Sequence, residues 1–282
     1  MMIIVICIRC STREARMPDE VPLHATFDTV ASLYDEVRPG YPDVIINAII
    51  ERSGLPAEGR ILEIGCGTGQ ITRPFARRGY AILALELGPS LAALAAEHLR
   101  PYPQVRVVPV AFEHWPIERE AFDLVLSAQA FHWIDPAFGL ARAAAVLKPQ
   151  GAIALVWHLD RSEHTDFYRA TQPLYERFLP SDAQREHVDP LEQRAMCYHA
   201  ALSQSDAFAR LTTFRHRWER QYTGPQFLKL LQTFSNHQTL PEPAKSQFFQ
   251  GMAAELARFG NVVTCHYETL LLVAHKADVN HC

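Results

Sequence analysis

Ile61-Leu62-Glu63-Ile64-Gly65-Cys66-Gly67-Thr68-Gly69 is the stretch whose reading decides the fold. Arg60–Ile64 is an apolar run of the kind a buried strand carries, and it breaks at once into glycines. A helical pattern follows from Gly69 to Arg78, with Pro74 near its first turn and Gly79 as its stop. Strand, glycine turn and helix in that order build a ligand site. The missing Cβ atoms let backbone approach closely, and the helix N-terminus favours an anionic end. The dinucleotide fingerprint G-x-G-x-x-G asks for glycine at position 70, where Gln70 stands. The spacing is instead acidic-x-Gly-x-Gly-x-Gly, with Glu63 as the acid.

Outward from this stretch, helical periods alternate with short apolar runs. Residues 42–53 put Val44, Ile45, Ala48 and Ile49 on one face, between Pro42 and the stop at Gly54. Ala81–Leu85 is the next strand run, and Ser90 opens a helix carrying Leu91, Leu94, Ala95, His98 and Leu99. Val105–Val110 and Phe122–Ser127 follow. Asp135-Pro136 then reads as an N-cap with proline at the first helical position, in a helix that ends at Lys148-Pro149-Gln150-Gly151. Ala152–Trp157 is a fifth strand run. Helices are expected at 163–178, 225–234 and 244–259, and further strands at Leu211–Trp218 and Val262–Ala274. The pattern predicts an α/β fold: a doubly wound, Rossmann-like, seven-stranded and mostly parallel sheet, with helices on both faces. A helical insertion falls in its C-terminal half.

Composition narrows the function. The chain has 282 residues, 27 Lys plus Arg against 31 Asp plus Glu, and 48% hydrophobic residues, so it is long and apolar enough for a sizeable core. A net charge of −4 gives no sign of a basic face, so no nucleic acid is expected as partner. The longest apolar run, Met1–Ile8, is far short of the ~20 residues of a membrane helix and lacks the flanks of a secretory signal. Residues 1–16 precede a further methionine, Met17, and are read either as an extension or as a small added strand. Six scattered cysteines do not make a disulfide framework, and Cys7-x-x-Cys10 has no second pair at finger-like spacing. His98, His114, His132 and His158 show no ligand spacing either. No metal is expected, and the thiols read as reduced, in a cytoplasmic protein.

Glu86 closes the second strand run 21 residues after Gly65, where a carboxylate accepts hydrogen bonds from ribose hydroxyls. With these markers the chain resembles the class I S-adenosylmethionine-dependent methyltransferases, of the type 11 kind, over most of residues 27–276. The run Phe122-Asp123-Leu124-Val125-Leu126-Ser127-Ala128-Gln129-Ala130-Phe131-His132-Trp133 is similar to the family's fourth strand and following loop. The resemblance puts Ser127 and Gln129 beside the methionine end of the cofactor. It also makes His132 a candidate to orient the acceptor or take its proton. Ala111 stands where many members have an aspartate for the adenine amino group, which leaves backbone and apolar contact near Phe112 to hold the base. Tyr34-Asp35-Glu36-Val37-Arg38-Pro39-Gly40-Tyr41-Pro42 resembles a lid segment in which Tyr34 and Arg38 meet the cofactor carboxylate. Together with Thr233-Phe234-Ser235, it points to the trans-aconitate methyltransferase group.

The resemblance implies Glu63, Gly65, Gly67, Gly69 and Glu86 as further contacts of S-adenosylmethionine. It implies methyl transfer to a small-molecule acceptor, through an oxygen nucleophile such as a carboxylate. An NAD-type oxidoreductase and a cofactor-binding module without chemistry are the alternatives. Residues 25–282 are expected as one domain: lid 25–42, cofactor-binding core 60–157, acceptor-shaping helices and strand 158–260, and last strand 261–276. Residues 1–24 are expected as a poorly ordered extension.

Overall fold

A computed structural model describes residues 31–179 and 190–278. The expected extension at 1–24, the Cys7-x-x-Cys10 pair and the first residues of the lid lie outside the described residues. Seven strands form one sheet: β1 (Arg60–Ile64), β2 (Ala81–Glu86), β3 (Val105–Pro109), β4 (Phe122–Ala128), β5 (Leu147–Asp160), β6 (Phe208–Thr223) and β7 (Val262–Lys276). Their order is β3-β2-β1-β4-β5-β7-β6. Strands β1 to β5 run parallel, and β7 is antiparallel to both β5 and β6.

Both faces of the sheet are covered, which is why its strands read as nearly continuous apolar runs. Leu62, Leu83, Val125 and Leu155 pack with the helices Pro136–Val146 and Pro190–Ser203. Their chain neighbours Ile61, Ile82, Leu124 and Val156 point the other way, onto the helices Asp43–Ser53, Thr72–Arg77 and Pro89–Leu99. A third apolar cluster joins Val37, before β1, to Leu230, Leu231, Phe248 and Met252 of the helical insertion. The strand order reverses between β1 and β4, so a crevice opens there at the carboxyl ends of the strands.

Several local expectations take physical form. Gly54 ends its helix at φ 63°. The Asp135 side chain accepts from the Phe138 N–H, capping the helix that Pro136 begins. Other boundaries differ from the sequence reading. The helix after the glycine turn covers only Thr72–Arg77, because left-handed backbone at Gly67 and Gly69 delays its start. Lys148–Gly151 does not terminate a helix but forms an irregularity inside β5, where Gln150 has φ 66° and the pairing with β4 shifts register. The edge strand β6 runs well past Leu211–Trp218 at both ends. Its Arg215, Arg217 and Glu219 alternate outward, charges that discourage pairing with another chain. The helix Pro190–Ser203 was not expected. No described helix is long and apolar enough to cross a membrane.

The cap at Asp135 generates a test. Asp135→Ala is expected to lower unfolding stability by about 1 kcal/mol, seen as a lower denaturant midpoint at unchanged slope. An unchanged midpoint would mean that the cap adds no stability.

Candidate functional site

Two glycines shape the turn between β1 and its helix for different reasons. Gly65 has φ 70°, and a Cβ there would stand 2.3 Å from the Ala130 Cβ, so the β1 and β4 ends meet in direct contact. Gly67 has φ 58°, and its N–H donates to the Glu86 carboxylate at 2.8 Å. The other Glu86 oxygen accepts from the Gly88 N–H at 2.9 Å. Glu86 therefore ties the turn to the end of β2, and it lines the cleft described below. Gly69 faces Leu99 and lines neither cavity described below.

Beside the turn is a small chamber of about 40 Å3, walled by Tyr34, Arg38, Tyr41, Glu63, Gln129 and His158 among others. Glu63 is 1% exposed, and neither of its carboxyl oxygens has a partner in bonding geometry. Burial pushes its carboxyl up to about 8, which the nearby Thr72 hydroxyl offsets only in part and the Glu86 charge reinforces. Gln129 sits at φ 59°, and its amide donates to the His158 carbonyl at 3.3 Å while its oxygen stays buried without a partner. Acceptors without partners thus stand next to two donors, Arg38 and Tyr34. That set suits a zwitterionic amino-acid end: acceptors for the ammonium, donors for the carboxylate.

Arg38 is held from the far end of the chain. Its Nε donates to Thr233 Oγ1 at 2.9 Å and its Nη2 to the Thr233 carbonyl at 3.0 Å. Its guanidinium lies 4.3 Å from the Phe234 ring centre and 5.0 Å from that of Tyr34. The two motifs read separately in the sequence are one structure. The helix Ala31–Val37 is also fastened over the glycine turn, where the Thr68 hydroxyl donates to Asp35 at 2.7 Å.

The chamber borders a cleft of about 1280 Å3 that runs from Gly65, Gly67 and Glu86 to the helical insertion. Leu87, Ala111 and Phe112 line its β2–β3 side, and Phe167, Tyr168, Tyr175 and Phe227 line its opposite side. His132 lines the cleft too, on a short 3-10 turn after β4. Burial, helped by the Arg194 charge, pushes its imidazole down to about 3, so the ring is neutral near pH 7. Ser127 is placed elsewhere: 1% exposed, it donates to the Ile64 carbonyl at 2.8 Å and lines neither cavity. Its hydroxyl links β4 to β1.

Sequence reasoning missed His158, Arg194 and Trp157. His158 stacks on Tyr41 at 4.4 Å and closes the chamber. A signal for it existed, since it is a polar residue near the carboxyl end of a parallel strand.

Comparison with known proteins agrees with this geometry. Residues 62–155 match a family model described as a methyltransferase domain. An uncharacterized methyltransferase of Mycobacterium bovis is 34% identical over 134 residues, 47% of this chain and 52% of that relative. A malonyl-[acyl-carrier protein] O-methyltransferase of Paenibacillus is 35% identical over 99 residues, 32% of this chain and 36% of that relative. The chain spans about half the length, or less, of these relatives. Among solved structures, a type II methyltransferase assignment from Anaeromyxobacter dehalogenans superposes with TM-score 0.61 at 21% identity, covering 84% of this chain and 97% of that one. Residues 62–155 thus form a methyltransferase domain on a Rossmann-like sheet, and the chamber and cleft lie beside its reversal of strand order, where such a sheet places ligands.

Glu63 makes the site sensitive to pH. Its folded carboxyl is raised to about 8 from the usual 4.5, so the folded state holds the proton more tightly than the unfolded chain. The stability this contributes is complete below about pH 4.5 and is lost as pH rises towards 8. Cofactor-free protein should therefore show a thermal midpoint that falls across this window, and Glu63→Gln should flatten the fall. Parallel curves for the two proteins would mean that Glu63 is ionised in the folded state.

Proposed function

We propose that this chain transfers the methyl group of S-adenosylmethionine to a small-molecule acceptor, through an oxygen nucleophile such as a carboxylate. The observation behind this reading is the single cleft that joins the glycine turn and Glu86 to the aromatic wall of the helical insertion. A ligand pocket usually measures about 300–1,000 Å3. The larger cleft suits two ligands placed end to end.

S-adenosylmethionine, when bound, supplies a methyl group already activated by its sulfonium. The chain's own residues bind, orient and exclude water. Glu86 accepts from the ribose hydroxyls. Glu63 and Gln129 take the ammonium, and Arg38 with Tyr34 takes the carboxylate. Leu87, Ala111 and Phe112 give the base apolar contact, with no side-chain acid at Ala111. The helices of the insertion form the wall on the acceptor side, so most of the rate comes from alignment and desolvation.

A carboxylate acceptor fits the neutral His132, because such a nucleophile is ionised near neutral pH and needs no base. The similarity to an O-methyltransferase acting on a malonyl group supports the same class. A reducing, cytoplasmic setting belongs to this proposal and agrees with the buried free thiols of Cys66 and Cys265. Gln70 in the turn, and the similarity to a methyltransferase domain and to proteins named as methyltransferases, disfavour an oxidoreductase.

A screen of carboxylic acids, phenols and amines with S-adenosylmethionine, read by mass spectrometry, tests the reaction. A methyl ester is the expected product. Methylation of amines alone would overturn the oxygen acceptor, and cofactor binding without any transfer would leave a binding module. Glu86→Ala should weaken S-adenosylmethionine binding by roughly 1.5–3 kcal/mol in calorimetry, and equal affinity would place the ribose elsewhere. His132→Gln should lower turnover modestly with no new pH dependence, whereas a fall of about 10³-fold with cofactor affinity preserved would make His132 the base.

A further inference from the structure

The tautomer of His132 is fixed by a neighbour that allows only one answer. Trp157, on β5, is 1% exposed, and its indole Nε1–H points at His132 Nδ1 over 3.3 Å. An indole nitrogen donates and never accepts, so Nδ1 must supply the lone pair. A neutral imidazole with its lone pair at Nδ1 carries its proton on Nε2. No described residue hydrogen-bonds that second nitrogen, and His132 lines the cleft.

The frame around the pair is rigid. The Tyr198 hydroxyl donates to the Phe131 carbonyl at 2.8 Å and also contacts the Ile134 carbonyl, pinning the turn on both sides of His132. The Tyr198 ring stacks with Trp157 at 6.0 Å between centres. Arg194, from the helix Pro190–Ser203, lies over the Trp133 ring at 5.4 Å and lines the same part of the cleft. It is close enough to His132 for its charge to disfavour the imidazolium.

We infer that Trp157 is a positioning residue that holds His132 as an Nε2–H donor, and that this donor and the Arg194 guanidinium together form the subsite for the acceptor's carboxylate. The inference rests on the methyl-transfer reading and adds what His132 does in it. With its lone pair engaged by Trp157, the ring has no free base to offer the cleft. The acceptor must arrive with its own electron pair. A carboxylate oxygen forms the new O–C bond while the pair of the breaking S–C bond stays on sulfur. The negative and positive charges cancel, and no proton leaves. An alcohol or phenol at the same place would lack a group to take its proton.

The test begins with 15N-histidine-labelled full-length protein, with the His132 signals assigned by their loss in His132→Gln. Two-bond 15N–1H spectra are expected to show a neutral ring with Nδ1 unprotonated. A proton on Nδ1, or an imidazolium at pH 7, would overturn the inference. Sodium acetate, compared with sodium chloride at equal ionic strength, should shift the His132 Nε2 signal, and Arg194→Ala should weaken that acetate response about tenfold, as for a lost hydrogen bond to a charged group. No acetate-specific shift would also overturn it. In Trp157→Phe the two tautomers should mix, with affinity for S-adenosylhomocysteine retained by calorimetry. The wild-type spectrum decides the tautomer even if that variant does not fold. A protein with the expected tautomer and acetate response but no methylated product in the screen would refute the reaction and leave the subsite standing.

Discussion

Glu86 accepts one hydrogen bond from the Gly67 N–H and another from the Gly88 N–H, and the rest of the site depends on that pair of contacts. A buried carboxylate without partners is costly, so the two backbone donors hold Glu86 as firmly as it holds them. The glycine turn is thereby fixed against the end of β2, at the side of the sheet away from β4. Gly65 fixes it against β4 through contact with Ala130. A turn held on both sides at the reversal of strand order is a rigid floor. Everything that a ligand would meet, from Glu63 to Phe112, is referred to it.

Above that floor the walls come from distant parts of the chain. The Arg38–Thr233 hydrogen bonds join the segment before β1 to the helical insertion before β7, across 195 residues. A contact of that separation costs loop entropy to form, and here it is reinforced by the Phe234 and Tyr34 rings against the guanidinium. The chamber between floor and walls keeps Glu63 and Gln129 short of partners. Such groups are tolerated in a folded protein where a ligand satisfies them.

Much of the architecture was legible because its causes are local. A buried parallel strand must be apolar on both faces, so β1, β2, β4 and the core of β5 announce themselves, and Asp135-Pro136 states a helix start in two residues. Glu86 was legible from its place after an apolar run. The rest depends on where atoms point. Ser127 and Gln129 lie two residues apart, yet one hydroxyl turns into the sheet and the other side chain lines the chamber, a distinction set by strand alternation and the left-handed Gln129. Gly69 reads like the other glycines and faces Leu99. The helix Pro190–Ser203 has Leu191, Ala195, Tyr198 and Leu202 at spacings of four, three and four, so its signal was present in the sequence. Its partner turn at 131–134 was not, because Tyr198 reaches across 67 residues to hold it.

A neutral, buried histidine ring with its lone pair engaged is a donor and a wall. That places the chemical demand on the acceptor and on the shape of the cleft. The claim beneath all of this is that the glycine turn and Glu86 receive S-adenosylmethionine. Equilibrium dialysis with radiolabelled S-adenosylmethionine measures it directly. Saturable binding that S-adenosylhomocysteine displaces and NAD does not is the result expected; absence of binding, or displacement by NAD, would contradict it.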